Sequence, residues 1–317
     1  MFSDHRQNGG MPNQPIVAVV GATASGKSDL ALDLAERLGG EIVNTDAMQV
    51  YRGMDIGTAK LPEADRRGVP HHLLDMLEVT EPATVAQFQV WAHDVIDDCR
   101  ARGVVPVLVG GSALYTRAIL DVFDFPETDP DLRARLEADL ATEGVDAMLL
   151  RLRAVDPDSA DRIGINGRRI VRALEVITMT GAPYASTLPH PTYADPDTVQ
   201  IGVDMDRPIS DARIAERVDA MWAAGFVDEV RALEARGLRD GVTASRAIGY
   251  GQVLAFLDGE ITEAEAREQT VNRTRRFVRR QDGWFRKDDR ITWVGYDDTD
   301  RLEKAVAAVQ AVSAPGA

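Results

Sequence analysis

The amino-acid sequence predicts an α/β protein: a parallel sheet flanked by helices, with an all-helical insertion. Three observations carry that expectation. Short apolar runs at Ile16–Val20, Val104–Val109 and Thr198–Asp204 read as buried strands and alternate with amphipathic stretches, the pattern of right-handed β-α-β crossovers. The first run leads into Gly21–Ser28 (GATASGKS), which fits GxxxxGK[ST] and opens a helical pattern (DLALDLAERLGG). From Asp129 to Gly181, finally, every signal is helical.

Taken in order, the first 14 residues are polar, lack a hydrophobic segment, and read as a disordered leader rather than a secretory signal. The loop after the first strand is a polyphosphate site in a P-loop NTPase-like sheet. Glycines 21 and 26 let the backbone of Gly21, Ala22, Thr23, Ala24, Ser25 and Gly26 wrap an anion. The helix start adds its positive dipole end, Lys27 a full charge, and Ser28 a hydroxyl placed to hold magnesium on the phosphate oxygens. The loop does not say whose phosphates these are. A second strand (Glu41–Asn44) leads into a long polar segment, Thr45–Lys60, and His71–Leu77 is a candidate further strand. Thr84-Val-Ala-Gln87 reads as a capping box opening a helix to about Arg102, with Phe88, Trp91, Val95 and Cys99 at helical spacing. Three helical patterns follow over 129–181, then a Pro-rich joint. The predicted division is a core of 15–127 and 198–317 and an insertion of 128–197. The last third is helical around Arg213–Ala235, Ala247–Leu257 and Thr262 to about Arg286, with a short strand at Ile291–Val294 and a weak final helix.

Composition bounds the partners. With 36 Lys and Arg against 51 Asp and Glu, the net charge is -15, which by itself argues against nucleic acid. The basic residues are nonetheless clustered. Arg273, Arg275, Arg276, Arg279, Arg280, Arg286 and Lys287 fall in one stretch with Phe277, Trp284 and Phe285; Arg168, Arg169 and Arg172 form a second group. A solvated face is the bland reading of either cluster. Two clusters with aromatics favour a polyanion, with arginines on phosphates and rings on unpaired bases. The single cysteine, Cys99, excludes an internal disulfide and a Cys-rich zinc site and reads as a small buried hydrophobe. No apolar run approaches the roughly 18 residues of a membrane span, so a cytosolic location is the simplest reading.

Asp46, just past the second strand, should face the mouth of the loop. Its carboxylate could ligate magnesium, act as a general base, or cap a turn. The strand that would supply a second acid in a kinase, Val104–Val109, ends in Gly110-Gly111-Ser112 instead, leaving Asp75 and Asp204 as substitutes. Arg246-Ala-Ile-Gly-Tyr-Gly-Gln252 places an Arg, two glycines and a Tyr at a helix entrance. His71 and His72 have no second ligand cluster and read as structural.

Seven stretches together resemble the bacterial tRNA dimethylallyltransferases: 21–28, 45–60, 108–115 (LVGGSALY), 168–176 (RRIVRALEV), 224–230 (AGFVDEV), 246–252 and 279–286 (RRQDGWFR). They run in family order, and MDIGTAK is far more specific than the phosphate loop. The resemblance implies transfer of a dimethylallyl group from dimethylallyl diphosphate to the exocyclic amine of adenosine 37, beside the anticodon, in tRNAs reading codons that begin with U. It implies Mg2+, a monomeric cytoplasmic enzyme, and no membrane partner. Lys27 and Ser28 would cradle the diphosphate and its magnesium, Thr23 and Arg217 would meet the leaving oxygens, and Asp46 would be the general base. Asp46, Ala47, Met48 and Gln49, with Arg246, Ala247, Ile248, Gly249, Tyr250 and Gly251, would grip the flipped adenine and its neighbours. Ser112, Arg133, Arg168, Arg169, Ile170, Val171, Arg172, Arg279, Arg280, Gln281, Trp284 and Arg286 match tRNA-contacting positions, and the insertion would close on the anticodon stem-loop. Ala22, Ser28 and Ala47 depart from the family's frequent Pro, Thr and Ser; only Ala47 removes a hydroxyl from the substrate side.

Three other readings compete. An adenylate isopentenyltransferase would keep the loop and Asp46 without needing the insertion or the basic helix. A small-molecule kinase would turn over ATP. A non-catalytic RNA-binding protein would survive loss of Asp46.

Overall fold

The computed structural model describes residues 14–122, 126, 128–184 and 190–313, so the leader expected over 1–14 lies almost wholly outside them. The elements run β1 (Ile16–Gly21), α1 (Lys27–Leu38), β2 (Gly40–Asn44), β3 (His71–His72), α2 (Val85–Ala101), β4 (Val105–Gly110) and α3 (Ala113–Leu120). After the helical α4 (Pro130–Val155), α5 (Pro157–Ile163) and α6 (Gly167–Thr180) come β5 (Thr198–Asp204), α7 (Arg207–Ala223), α8 (Phe226–Glu234), α9 (Tyr250–Leu257), α10 (Glu263–Phe285), β6 (Ile291–Gly295) and α11 (Arg301–Ser313). The strands form one parallel sheet in the order β3-β2-β4-β1-β5-β6. β1 is therefore central, paired with β4 from Val17↔Val107 and with β5 from Ile16↔Thr198.

Burial on both faces explains why the strands read as continuous apolar runs. Val17 and Val19 meet Leu30 and Leu34 of α1 and Val306 and Val309 of α11. Ile16, Ala18 and Val20 belong to the opposite layer, with Phe88, Trp222, Phe226 and Tyr250. There Phe226 packs edge-to-face against Trp222 (ring centroids 5.2 Å) and Tyr250 (5.0 Å).

Several helices start where a capping side chain places them. The Thr84 hydroxyl accepts the Gln87 N–H at 3.2 Å and starts α2. Thr262 and Glu265 close a reciprocal capping box on α10, with the Glu265 carboxylate accepting the Thr262 N–H at 2.7 Å. The amphipathic stretch expected around 213–235 is two helices, parted at Gly225 (φ +94°). The expected strand over 71–77 shrinks to His71–His72, because Leu73 and Asp75 take positive φ (62° and 56°) and turn the chain away. The weak tail helix is a full helix, α11, whose Ala305, Val306 and Val309 are buried under the sheet.

The irregular segment after β2 is anchored by two charged groups. Buried Lys60 donates to the Tyr51 carbonyl (2.9 Å), Asp55 (2.7 Å) and Asp75 (2.6 Å). The Glu229 carboxylate accepts the N–H groups of Asp55, Ile56 and Gly57 (3.1, 2.6 and 3.2 Å) and the Tyr250 hydroxyl (2.6 Å). Gly57 is required because a Cβ there would lie 2.3 Å from the Phe226 ring and 2.5 Å from that of Tyr250.

The chain divides into a larger unit, up to Val122 and from Tyr193 onward, and a helical unit, Phe123–Thr192. Residues 193–197, which the sequence reading placed in the insertion, pack with the larger unit: Tyr193 bridges Asp121, the Ala194 N–H donates to the Leu120 carbonyl at 2.8 Å, and Asp195 pairs with Arg100 at 2.5 Å. In the helical unit, α4 is interrupted by the non-helical Gly144 (φ 85°, ψ 168°), so the first two expected helices abut there. Short α5 is an addition, started by Asp156, whose carboxylate accepts the Ser159 N–H at 3.0 Å, and by Pro157. Leu136, Met148, Leu152 and Ile170 form this unit's core.

Glu175 is fully buried in that unit, accepting the Asp129 N–H at 3.1 Å and pairing with Arg172 at 2.7 Å and with Arg133. Burial alone would raise its carboxyl, but hydrogen bonds from the two arginines outweigh burial and hold it below the ordinary glutamate value. Its stabilising contribution is thus complete above the unfolded value of about 4.3 and is lost as pH falls through the lower folded value. Glu175→Gln should cost the helical unit about 1–3 kcal/mol, the arginines being partly solvated. Hydrogen exchange of α4 and α6 amides in the whole chain should show lost protection, and an acid-dependence weaker than the parent's.

Candidate active site at the carboxyl edge of the sheet

Parallel α/β sheets bind ligands beyond the carboxyl ends of their strands, and here central β1 ends in the glycine-rich loop. The loop turns through Gly21 (φ +147°), Ala24 (+68°) and Gly26 (+85°). A Cβ at Gly21 would stand 3.1 Å from the Val203 carbonyl, and Ala24 in the left-handed region costs about 1–2 kcal/mol. Lys27 reaches back to the Ala22 carbonyl at 3.2 Å, buried Ser25 packs beneath Gly21, and Ser28 lies exposed in the first turn of α1. Burial, and then the nearby Arg217 charge, pull Lys27 down to about 8 against the opposing attraction of Asp46. Arg217 is itself pulled below its usual value by burial, with Asp46 acting the other way. Lys27, Arg217 and Asp46 are therefore electrostatic neighbours.

A cavity of about 390 Å3 opens beside the loop. Thr23, Asp46 and Arg217 line it, together with Ala47, Met48 and Ser112. Arg246, Ala247, Ile248 and Tyr250 approach from the start of α9, and Arg280 from α10. Six segments far apart in sequence thus meet at one edge, five of them from the motif stretches and the sixth, with Arg217, from α7. One Asp46 oxygen accepts the Met48 N–H at 2.8 Å, and the Asp46 N–H donates to Asn44 at 2.9 Å, so the carboxylate is held in a tight turn. The wall that sequence reasoning missed is Ile214, Val218 and Met221 of α7, an apolar surface that flanks Arg217 and is joined by Phe277 of α10. Its signal was present as the i, i+4, i+7 spacing of 214, 218 and 221.

Other expected site residues lie elsewhere. Gln49 donates to the Thr58 carbonyl at 3.1 Å and lines a separate small cavity with Ser28. Gly249 and Gly251 shape the α9 entrance; Gly249 (φ +92°) faces the Phe226 ring, leaving 3.0 Å for a Cβ. Six residues expected to contact RNA are buried or already engaged within the protein. Ile170 and Val171 are buried in the helical unit's core, where α6 turns its apolar face inward. Gln281 is 5% exposed, its amide bonded within the protein. Arg286 is engaged by Asp204 and by Asp282 (3.1 Å) and lies 4.0 Å over the Trp293 ring. Arg133 and Arg172 are engaged by Glu175. Arg168, Arg169, Arg279 and Arg280 are exposed, as is Trp284 at 48%. Phe277 lines the cavity and Phe285 is core.

Neither substitute for the second acid joins Asp46: Asp75 is held by Lys60, and Asp204 by Arg286 beside another cavity. Away from the site, Glu41, His72 and Cys99 bring their donor atoms within 4.8 Å of one another. Arg102 grips the Glu41 carboxylate with two bonds of 2.7 Å and holds it down at about 2, while burial pushes the Cys99 thiol up to about 11. His72 thus has the ligand-type neighbours that the sequence reading did not find, within an ion-pair network centred on Glu41.

Fold and site define a class: a doubly wound α/β protein with a phosphate-loop turn, a carboxylate and arginines around a half-apolar cavity. A family model described as IPP transferase matches residues 49–288, and the chain belongs to that family of transferases. A tRNA dimethylallyltransferase of Nocardioides sp. is 67% identical over 302 residues, covering 95% of this chain and 97% of its own. One of Thermobifida fusca is 60% identical over 300 residues, covering 93% and 94%. The crystal structure of a full-length tRNA isopentenylpyrophosphate transferase from Bacillus halodurans is similar at TM-score 0.70 and 39% identity, covering 95% of this chain and 98% of that one. A eukaryotic dimethylallyltransferase acting on tRNA shares the fold at TM-score 0.77 and 24% identity, covering 93% and 77%. No helix among the described residues is long and apolar enough to cross a membrane.

The value of about 8 for Lys27 makes anion binding pH-dependent. A bound anion favours the ammonium, so affinity for inorganic diphosphate should be level below about pH 8 and fall by up to about tenfold per unit above it. Calorimetric titration between pH 7 and 9.5 measures this, and Lys27→Met should both weaken binding and remove the Lys27 part of the decline.

Proposed function

We propose that this chain transfers a dimethylallyl group from dimethylallyl diphosphate to the exocyclic amine of an adenosine beside the tRNA anticodon, at position 37, releasing diphosphate. The observation that carries the reading is the composition of the 390 Å3 cavity, which joins Thr23 and Arg217 at the loop to a lone carboxylate and an apolar wall. The diphosphate would lie on the loop, the prenyl tail against Ile214, Val218 and Met221, and the adenine near Asp46. As the allylic carbon–oxygen bond breaks, its electron pair leaves with the diphosphate, where loop amides, Lys27 and Arg217 concentrate positive charge. The amine nitrogen forms the new bond to carbon, and its proton passes to Asp46. The base must leave its stack to reach this cavity, which suits an anticodon loop.

Magnesium fits the donors present. Ser28 offers a hard hydroxyl oxygen at the head of α1, and magnesium needs few protein ligands when substrate phosphates and water complete its shell. Ser28 would hold it, and the ion would supply neutralising charge to the leaving diphosphate. Arg279, Arg280, Arg168 and Arg169 would contact RNA phosphates. The enzyme would act as a monomer on cytoplasmic tRNA.

The competing readings fit less well. The relatives are named as tRNA enzymes, at up to 67% identity, and the basic α10 and helical unit have no use in an enzyme of free adenylate. A kinase would want a second acid near Asp46, and among the described residues no other carboxylate lines that cavity.

Incubation with dimethylallyl diphosphate, magnesium and either unmodified tRNA or AMP tests the reading; transfer to AMP alone, or ATP hydrolysis without transfer, would overturn it. Asp46→Asn should keep tRNA affinity while turnover falls about 10²–10⁴-fold. Replacing Arg279 and Arg280 by Ala should weaken tRNA binding and lower the slope of log affinity against log salt by about 0.7–0.9 per lost phosphate contact.

A further inference from the structure

On α10, between exposed Arg280 and Asp282, the Gln281 side chain turns inward. Its Nε2 donates to the Gly111 carbonyl at 2.8 Å. Its Oε1 accepts both the Thr23 N–H at 3.0 Å and the Thr23 hydroxyl at 3.2 Å. The amide cannot be reversed, because the Gly111 oxygen can only accept and the Thr23 N–H can only donate. The fit is close: a Cβ at Gly111 would lie 2.3 Å from Nε2. One side chain therefore ties the last helix of the site to the end of β4 and to the phosphate loop.

We propose that Gln281 is a positioning residue for Thr23, fixing the place and rotamer of its hydroxyl at the diphosphate end of the cavity, and not an RNA contact. The inference rests on the prenyl-transfer reading. Two bonds to one acceptor divide the task. The bond to the Thr23 N–H fixes the backbone, and the bond to the hydroxyl selects χ1 in a β-branched residue already stiff there. When a leaving oxygen is present, the hydroxyl proton can turn from Oε1 toward it. Oε1 then still holds the N–H, so no buried acceptor is stranded and Thr23 keeps its place.

A double-mutant cycle tests this with Gln281→Met, which keeps length and loses polarity, and Thr23→Val, which loses only the hydroxyl's polarity. Gln281→Met should lower kcat about 10–100-fold, the usual cost of misplacement by about an ångström, and leave tRNA affinity nearly unchanged. In the Thr23→Val background the same change should cost less than about threefold, because both substitutions remove one device. Gly111→Ala, which displaces the amide from the opposite side, should reproduce the selective kcat loss and serves if Gln281→Met melts early. Multiplying effects, or a fall in tRNA affinity at unchanged kcat, would overturn the inference. A wild-type chain that transfers no prenyl group would overturn the function instead. The cycle is then read in affinity for inorganic diphosphate, where additive losses sink the positioning role and non-additive losses keep it.

Discussion

A loop that turns amides toward a ligand keeps few to hold its own shape: the Ser25 N–H donates to the Ala22 carbonyl at 3.3 Å, and much of the remaining support comes from outside. Gly21, Ala24 and Gly26 give the turn its path, at a strain cost that only surrounding contacts can sustain. Lys27 closes the loop on itself through the Ala22 carbonyl, and Gln281 closes it on the rest of the protein. The Gln281 bonds to Thr23 span 258 residues, so the loop is complete only when α10 has returned to the sheet. Central placement of β1 between β4 and β5 makes such a return possible, since segments following either neighbour arrive at the same edge.

The second wall obeys a similar rule. Beyond a single bridge, Tyr51 to Leu77, the 45–60 segment has no ladder to join, and three of its backbone donors are gathered by Glu229, which also takes the Tyr250 hydroxyl. Charge-assisted bonds of this kind are about twice as strong as neutral ones, enough to fix a turn that carries Asp46 at one end and Lys60 at the other. The Trp222, Phe226 and Tyr250 rings back that turn and hold the α7 and α9 walls at a fixed spacing. Rigid apolar packing thus stands behind a polar rim, the arrangement in which preorganised charges act most strongly.

What was legible in the sequence was local. The loop, the bounds of β5 and the start of α10 follow from patterns a few residues long, and structure agrees with each. Leu73 and Asp75 adopt positive φ without being glycine, so nothing local announced the end of β3. Motif blocks also mix buried and exposed positions. In the 279–286 stretch, Gln281 falls four residues after Phe277 and four before Phe285, on the inward face of the helix, and that spacing was the available signal. Ile170, Val171 and Leu174 carry the same signal in the helical unit. Charge counting erred because acids lie far away in sequence: Asp204 engages Arg286 across 82 residues, and Glu175 engages Arg133 across 42.

The missing second acid finds its explanation in packing. The end of β4 admits no side chain, since a Cβ at Gly110 would lie 2.2 Å from the Thr45 hydroxyl and one at Gly111 2.3 Å from Gln281. An aspartate there would displace both the strand end that carries Asp46 and the amide that holds Thr23. The same close approach that organises the loop therefore leaves Asp46 as the only carboxylate among the described residues that line the large cavity. One of its oxygens is engaged by the Met48 N–H, and the other has no hydrogen bond among the described residues. A lone carboxylate with one oxygen fixed and one available is poorly suited to sharing a metal with a partner acid. It is well suited to accepting a proton.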